Sequence, residues 1–240
     1  MSVNDSLIRL AWGQPTNVQA LVTTRFGGVS APPYGDLNLA LHVADQAASV
    51  TENRLRLAAL AELPAPPLWL QQVHGTEVLL ADSNPLPEPQ ADAAFTTESQ
   101  RVLAIMVADC LPILLCSADG REIAAVHAGW RGLAERIIEK AVGQFSSGGI
   151  SAWLGPAIGP CHYEVDNLVR SRFDSDVGFL PGRDAGHWML NLYAIARQQL
   201  AEAGVASIAG GEDCTFCDSR FYSYRRDGET GRFAALIWRT

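Results

Sequence analysis

The chain has 240 residues with 48% apolar side chains, long enough to bury a sizeable core as one α/β domain spanning residues 1–240. A formal charge of -8, with no run of Lys or Arg longer than two, excludes the electrostatic footprint of a nucleic-acid or anionic-membrane binder. Five irregularly spaced cysteines do not form a disulfide framework, the start Met1 to Ser6 lacks the basic flank and apolar core of a signal peptide, and no apolar run approaches a membrane span; together these point to reduced thiols and a cytoplasmic location.

In chain order, Gln19 to Arg25 is rich in strand formers and is stopped by Gly27-Gly28, which holds Arg25 at a strand end. Val29 to Leu39 is dense in turn residues, and its Asn38 either meets a base or ribose or bonds its own backbone. From Asp45 to Glu62, Val50, Arg54, Leu57, Ala58 and Ala61 share one face at helical spacing, and Pro64 ends the helix. Arg54 on that apolar stripe either reaches into a cleft or lays its stem over the core edge.

Trp69 to Gly75 reads as a short strand ending in His74, and Asp82 to Gln90 as a polar loop rather than a domain linker. Asp92, in Ala91-Asp92-Ala93, either orients a ligating histidine through its second nitrogen or makes a turn. Val102 to Val107 and Ile123 to Val126 have strand length and deliver Cys110 and His127 just past their ends. Asp109 has the same two readings as Asp92, and could also move protons.

After His127, Leu133, Ile137, Ile138, Ala141, Val142 and Phe145 form the inner face of one helix. Gly129 and Gly132 suggest close backbone approach, and Arg131 adds a charge near a helix start that attracts anions. Ala152-Trp-Leu reads as a buried strand, and Gly155 to Pro160 as a rigid loop that shapes a pocket wall or reverses the chain. Cys161 and His162 are adjacent, so on an extended chain they point to opposite faces, which argues for packing over ligation. Asp166 caps a helix bearing Leu168, Val169 and Phe173; Asp174 to His187 is irregular; Asn191 to Ala203 is a helix closed by Gly204.

Cys214-Thr-Phe-Cys217 could be a redox pair or half of a zinc knuckle, but with no second pair in the chain reduced structural thiols are the better reading. Phe221 to Arg232 is an aromatic stretch with a hairpin-like turn leading into a terminal strand, Phe233 to Trp238, and makes Tyr224 and Arg225 candidates for contact with a purine.

His74, Cys110 and His127 thus form a possible His/Cys/His set at strand-to-loop junctions. Three donors match a catalytic zinc site, which leaves one position open, rather than a structural site closed by four. Spacing alone leaves a second reading, in which all three are core residues. Many strand-like runs without regular β-α-β alternation indicate a mixed-sheet α/β or α+β fold rather than a Rossmann fold.

The strings Thr23 to Ser30, Gln71 to Gly75, Ala108 to Pro112, Val126 to Gly132, Leu154 to Pro160 and Phe221 to Gly228 run in order across nearly the whole chain. They resemble the signature segments of the bacterial purine nucleoside phosphorylase family formerly described as multicopper polyphenol oxidase or laccase-like, also called peptidoglycan editing factor. The resemblance implies a four-layer α/β/β/α sandwich, distantly like cysteine-hydrolase-type toxins. It implies Zn²⁺ (with Cu²⁺ as the alternative) on His74, Cys110 and His127, and Arg54 first, Arg25 second, as the phosphate contact. The implied reaction is phosphorolysis of adenosine, inosine or methylthioadenosine to base and ribose 1-phosphate, with deamination of adenosine at the same site.

Three alternatives stand beside it. In one, Cys110 is a nucleophile activated by His127 in an amide hydrolase that edits peptidoglycan precursors. Another is copper-dependent polyphenol oxidation, set aside because five histidines and one His/Cys/His set do not furnish several copper sites. The last, a non-enzymatic metal-binding module, calls for a fourth protein ligand.

Overall fold

The computed structural model describes residues 6–82 and 87–240; residues 1–5 and the middle of the loop from Asp82 to Gln90 lie outside that range. The strands are β1 (Leu7–Arg9), β2 (Val18–Thr23), β3 (Val78–Leu80), β4 (Ala93–Thr96), β5 (Leu103–Val107), β6 (Leu111–Cys116), β7 (Ile123–Ala128), β8 (Ser151–Leu154), β9 (Glu164–Asp166), β10 (Phe179–Pro181), β11 (His187–Leu190), β12 (Ser207–Gly210) and β13 (Phe233–Arg239). The helices are α1 (Ala47–Ala61), α2 (Trp130–Ala134), α3 (Ile137–Val142), α4 (Asn167–Arg170), α5 (Leu192–Glu202) and α6 (Tyr224–Asp227).

Two sheets carry the molecule. One has the order β1-β2-β13-β5 and is antiparallel; the other, β12-β8-β6-β7-β4-β3, is mixed. Alternation along the strands sorts the apolar residues into layers, since successive side chains point to opposite faces. Leu103, Ile105 and Val107 of β5 join Ile123 and Ala125 of β7 in the core between the sheets. Ala104 and Met106 face Leu57 and Ala61 of α1 on one outer side, while Ala124 and Val126 face α3 and α5 on the other. The resulting order, helix, sheet, sheet, helix, is the mixed α/β sandwich that the family resemblance implies.

Several local expectations change. The stretch after His127 is two short helices, because Arg136 adopts a left-handed φ of 63° between them; the expected inner face is nonetheless buried from Leu133 to Val142. Trp69 to Gly75 is an extended arm with isolated bridges at Leu68 and Gln71, not a strand. The Gln72 side chain replaces the missing ladder, donating from Nε2 to Met106 O (2.8 Å) and accepting from Met106 N (2.9 Å). Residues 174–187 are less irregular than expected, since β10 and β11 pair antiparallel and β9 joins them in a third sheet. The turn after Phe221 is the helix α6, capped by Ser223, rather than a hairpin. No helix among the described residues is long and apolar enough to cross a membrane.

One buried carboxylate fastens the surface of the six-stranded sheet. Glu122 accepts from Ser146 N and Oγ and from Ser147 N. Burial alone would raise its pKa, but these donors hold it below the ordinary glutamate value. A depressed folded-state pKa contributes stability that is present above the unfolded value and lost as pH falls through the folded one. Glu122→Gln is therefore expected to destabilise by about 1–3 kcal/mol at neutral pH, with the gap to the parent closing in acid, as urea melts at several pH values will report.

Candidate metal centre

The chain steps from β5 to β6 over Ala108, Asp109 and Cys110, passing from one sheet to the other. β6 pairs with β7 so that Pro112 faces His127 and Leu111 faces Ala128, which sets Cys110 beside the end of β7. His127 lies inside β7 rather than past its end. The third donor, His74, sits on the arm anchored by Gln72, at a left-handed φ of 61°.

That strained position is held by Asp92, which is fully buried. Its Oδ1 accepts from His74 N (2.9 Å), and its Oδ2 from Val73 N (3.2 Å) and Gly75 N (2.7 Å). Oδ1 also meets His127 Nδ1 at 2.7 Å. A carboxylate only accepts, so Nδ1 carries a proton and Nε2 is the nitrogen turned toward the centre, where a metal ion would take the place of its proton. One side chain thus orients both histidines.

The ligand atoms of His74, Cys110 and His127 all lie within 4.8 Å of one another. Cys110 Sγ is 3.9 Å from His74 Nε2, and the two imidazoles meet edge to face with centroids 4.8 Å apart. Burial would raise the Cys110 pKa, yet the charge of His127 and hydrogen bonds from both histidines bring it down to about 6. Burial likewise acts to lower the His127 pKa, but Cys110 and Asp92 push it up to about 9. A thiolate beside two imidazoles, one backed by a carboxylate, is a donor set for zinc with one coordination position left over. His74 is exposed, so the centre opens to solvent on that side.

Gly129 packs directly against this set: a Cβ there would lie 2.9 Å from Cys110 Sγ and 3.4 Å from His74 Cδ2. Its φ of -71° suits any residue, so the constraint is steric. Gly129→Ala is expected to weaken metal binding roughly tenfold while leaving the fold intact, because it displaces a ligand rather than core packing; zinc titration alongside thermal melts checks both.

The other candidates are placed unevenly. Asp109, at φ 93°, accepts from Thr215 Oγ1 (2.6 Å) and from Arg225 N (2.7 Å). Asn38 is fully buried and satisfied: it bonds Ala40 O, Ala40 N, Asp45 Oδ2 and Arg232 N, which leaves nothing for a base or ribose. Arg25 is taken up by Gly35 O, Asp227 and the face of Tyr222. Arg131 is exposed and stacks on Trp130, Tyr224 is exposed, and Arg225 donates to the carbonyls of His162 and Glu164. Arg54 lies over Trp69, donates from Nε to Leu39 O and pairs with Glu88, but its buried Nη2 has no hydrogen-bond partner among the described residues.

Sequence reasoning missed two residues here. Arg232 is half-buried and has no carboxylate partner among the described residues; its side chain reaches only Thr230 O and Gly231 O. Burial pulls its pKa down, and the charges of Cys110 and Asp109 oppose that, so the guanidinium lies within electrostatic reach of the centre. Tyr163, over which Arg225 stacks, is similarly held protonated by burial and by the charges of Cys110 and Asp109. Arg232 was signalled only by its place just before an unbroken apolar strand, and Tyr163 by nothing. A third expectation also changes: Cys161 and His162 do not point apart but converge on Cys214 and Cys217.

The family model of the multi-copper polyphenol oxidoreductase laccases matches residues 19–240. The chain is 45% identical to the purine nucleoside phosphorylase YfiH of Escherichia coli, over 97% of this chain and 98% of that protein. It is also 45% identical to the purine nucleoside phosphorylase PA4543 of Pseudomonas aeruginosa, over 95% and 96%. The crystal structure of Neisseria meningitidis protein NMB0706 superposes with a TM-score of 0.92 at 38% identity, covering 98% of this chain and 99% of that one. With a matching family model over nearly its whole length and relatives that align from end to end, the chain belongs to the laccase-like multi-copper polyphenol oxidoreductase family.

Proposed function

We propose that the protein is a zinc-dependent purine nucleoside phosphorylase acting on adenosine, inosine and methylthioadenosine, and that it deaminates adenosine at the same site. The names of the relatives support the activity. The observation that carries the reading is a three-donor centre, open on the His74 side, within electrostatic reach of Arg232, which has no carboxylate partner among the described residues. Bound there, zinc supplies Lewis acidity to whatever fills its remaining position.

The chain's own residues do the rest. Asp92 fixes the His127 tautomer and the His74 backbone. Arg232 and the free Nη2 of Arg54 hold phosphate against C1′, and both are braced on one residue: Leu39 N donates to Arg232 O, and Leu39 O accepts from Arg54 Nε. Asp109 retains lone pairs beyond those used by Thr215 and Arg225 and takes the proton of the attacking phosphate or water.

The test is to incubate the protein with adenosine, with and without phosphate, and identify the products. Ribose 1-phosphate formed only with phosphate supports the reading; no phosphate-dependent release of base overturns it. Because the donor set also suits copper, chelated protein is reloaded with zinc or copper in parallel. Arg232→Met should raise the phosphate KM about 10–100-fold, the loss of a charged hydrogen bond, while deamination, which uses no phosphate, changes far less.

A second reading has its own observation: Cys110, His127 and Asp92 are also arranged as a nucleophile, base and orienting carboxylate. On that reading the protein hydrolyses an amide in peptidoglycan precursors. Covalent trapping of Cys110 by a substrate-like electrophile, with turnover that persists after metal removal, would favour it.

A further inference from the structure

Away from the first centre, four soft donors meet at the surface. Cys161 and His162 follow the Gly155 to Pro160 loop, and Cys214 and Cys217 lie more than fifty residues later in the chain. Cys161 Sγ is 3.8 Å from both Cys214 Sγ and Cys217 Sγ, and His162 Nδ1 is 3.1 Å from Cys161 Sγ and 3.4 Å from Cys217 Sγ. All four ligand atoms lie within 4.8 Å of one another. Zinc–sulfur bonds of about 2.3 Å and zinc–nitrogen bonds of about 2.0–2.1 Å, set tetrahedrally, place ligand atoms roughly 3.5–3.8 Å apart. Both sulfur–sulfur separations match a tetrahedron's edge, the two nitrogen–sulfur separations are somewhat shorter, and the remaining pairs lie within 4.8 Å.

The surrounding backbone is shaped for ligation rather than packing. A turn closed by His162 N to Gly159 O (3.1 Å) swings Cys161 and His162 to one side, so the opposite-face rule for extended chains does not apply. Across from it, Cys217 N and Asp218 N both donate to Cys214 O. Gly159 N donates to Cys214 Sγ at 3.2 Å, a bond that favours a thiolate. The His162 ring stacks on Phe216, inside the C-x-x-C, at 3.9 Å and 13°, which holds Nδ1 toward the sulfurs. All five cysteines of the chain are free thiols.

We propose that Cys161, His162, Cys214 and Cys217 bind a second zinc ion, closed by four protein ligands and structural in role. The ion ties the loop after β8 to the loop before α6. Those loops form the wall behind the first centre: Thr215, between two of the ligands, donates to Asp109 Oδ1 at 2.6 Å, and Ile158 N donates to Asp109 O at 2.9 Å. Asp109 immediately precedes Cys110, and Tyr163, beside Cys110 electrostatically, immediately follows His162. The second ion therefore positions residues of the first site without touching substrate.

The test counts zinc per chain by mass spectrometry on protein loaded with zinc and freed of excess. Two equivalents are expected for the parent, one for Cys217→Ser, one for Cys110→Ser and none for the double variant. Cys217 and Cys161 are exposed, so Cys161→Ser serves as a second variant, and circular dichroism verifies folding. In the parent, alkylation of Cys161 and Cys217 should be slow with zinc and become fast once a chelator is added, a readout independent of any substitution. Equal zinc content in parent and Cys217→Ser, alkylation indifferent to zinc, or a disulfide among these cysteines in freshly reduced and zinc-loaded protein would each overturn the proposal. The Cys110→Ser arm keeps that outcome separate from failure at the first centre.

Discussion

On the proposed function, Cys110→Ser is expected to abolish phosphorolysis and deamination together, and zinc binding by His74 and His127 with them. Cys110 supplies the only thiolate of the first centre, held near pKa 6 by its two histidines, so at neutral pH the substitution deletes a charge and a soft ligand at once. Loss of an outer partner of a metal ligand typically costs 10–100-fold in affinity or activity; loss of the ligand itself should exceed the upper end of that range. The residue is half-buried, and serine is close in size, so stability should change by less than about 1 kcal/mol. Steady-state rates for both reactions, measured with metal content on the same samples, check this. A metal-free variant that keeps either reaction refutes a shared site.

Asp92→Asn is expected to damage both site and fold. Each oxygen of Asp92 takes two donors: Oδ1 takes His74 N and His127 Nδ1, and Oδ2 takes Val73 N and Gly75 N. An amide can accept on only one side, so its NH₂ group must face two N–H donors in a site with no access to water. A buried donor left unsatisfied costs about 1–3 kcal/mol, and with two such donors a loss of about 3 kcal/mol in unfolding free energy is expected. Metal affinity should drop 10–100-fold, as for other carboxylates behind a ligating histidine. Denaturant melts of the metal-free protein isolate the first effect, and zinc titration the second. An unchanged melt would show that the arm bearing His74 is held by Gln72 and the bridges at Leu68 and Gln71 without help from Asp92.

The three residues of the candidate centre could be picked out in the sequence because short apolar runs bounded by glycine or polar residues mark where a chain leaves a sheet, although spacing alone left a reading as core residues; the fold brings their side chains within 4.8 Å of one another. The mixed α/β character followed from the same runs, and the layering only from the family resemblance. What pairing does to those runs was not legible. Gln72 imitates a strand neighbour with its side chain, so an extended arm looks like a strand. Arg136 breaks a continuous helical stripe with one left-handed residue that no periodicity signals. Substrate candidates chosen from local pattern divided according to their neighbours: Asn38 and Arg25 are consumed by the scaffold, whereas Nη2 of Arg54 has no partner among the described residues. The Cys161 and Cys214 segments could not be paired by spacing, since their meeting depends on β8 and the loop before α6 being brought side by side, through the bridge between Ala157 and Cys214.

The arm that carries His74 spans both sheets. Gln72 fastens it to Met106 of β5 in one, and Asp92, just before β4 of the other, holds Val73, His74 and Gly75. Cys110 and His127 both ride on the six-stranded sheet, where β6 and β7 pair. Slippage of one sheet over the other would therefore move His74 relative to the other two donors, which makes the spacing of the three a strain gauge for the sandwich.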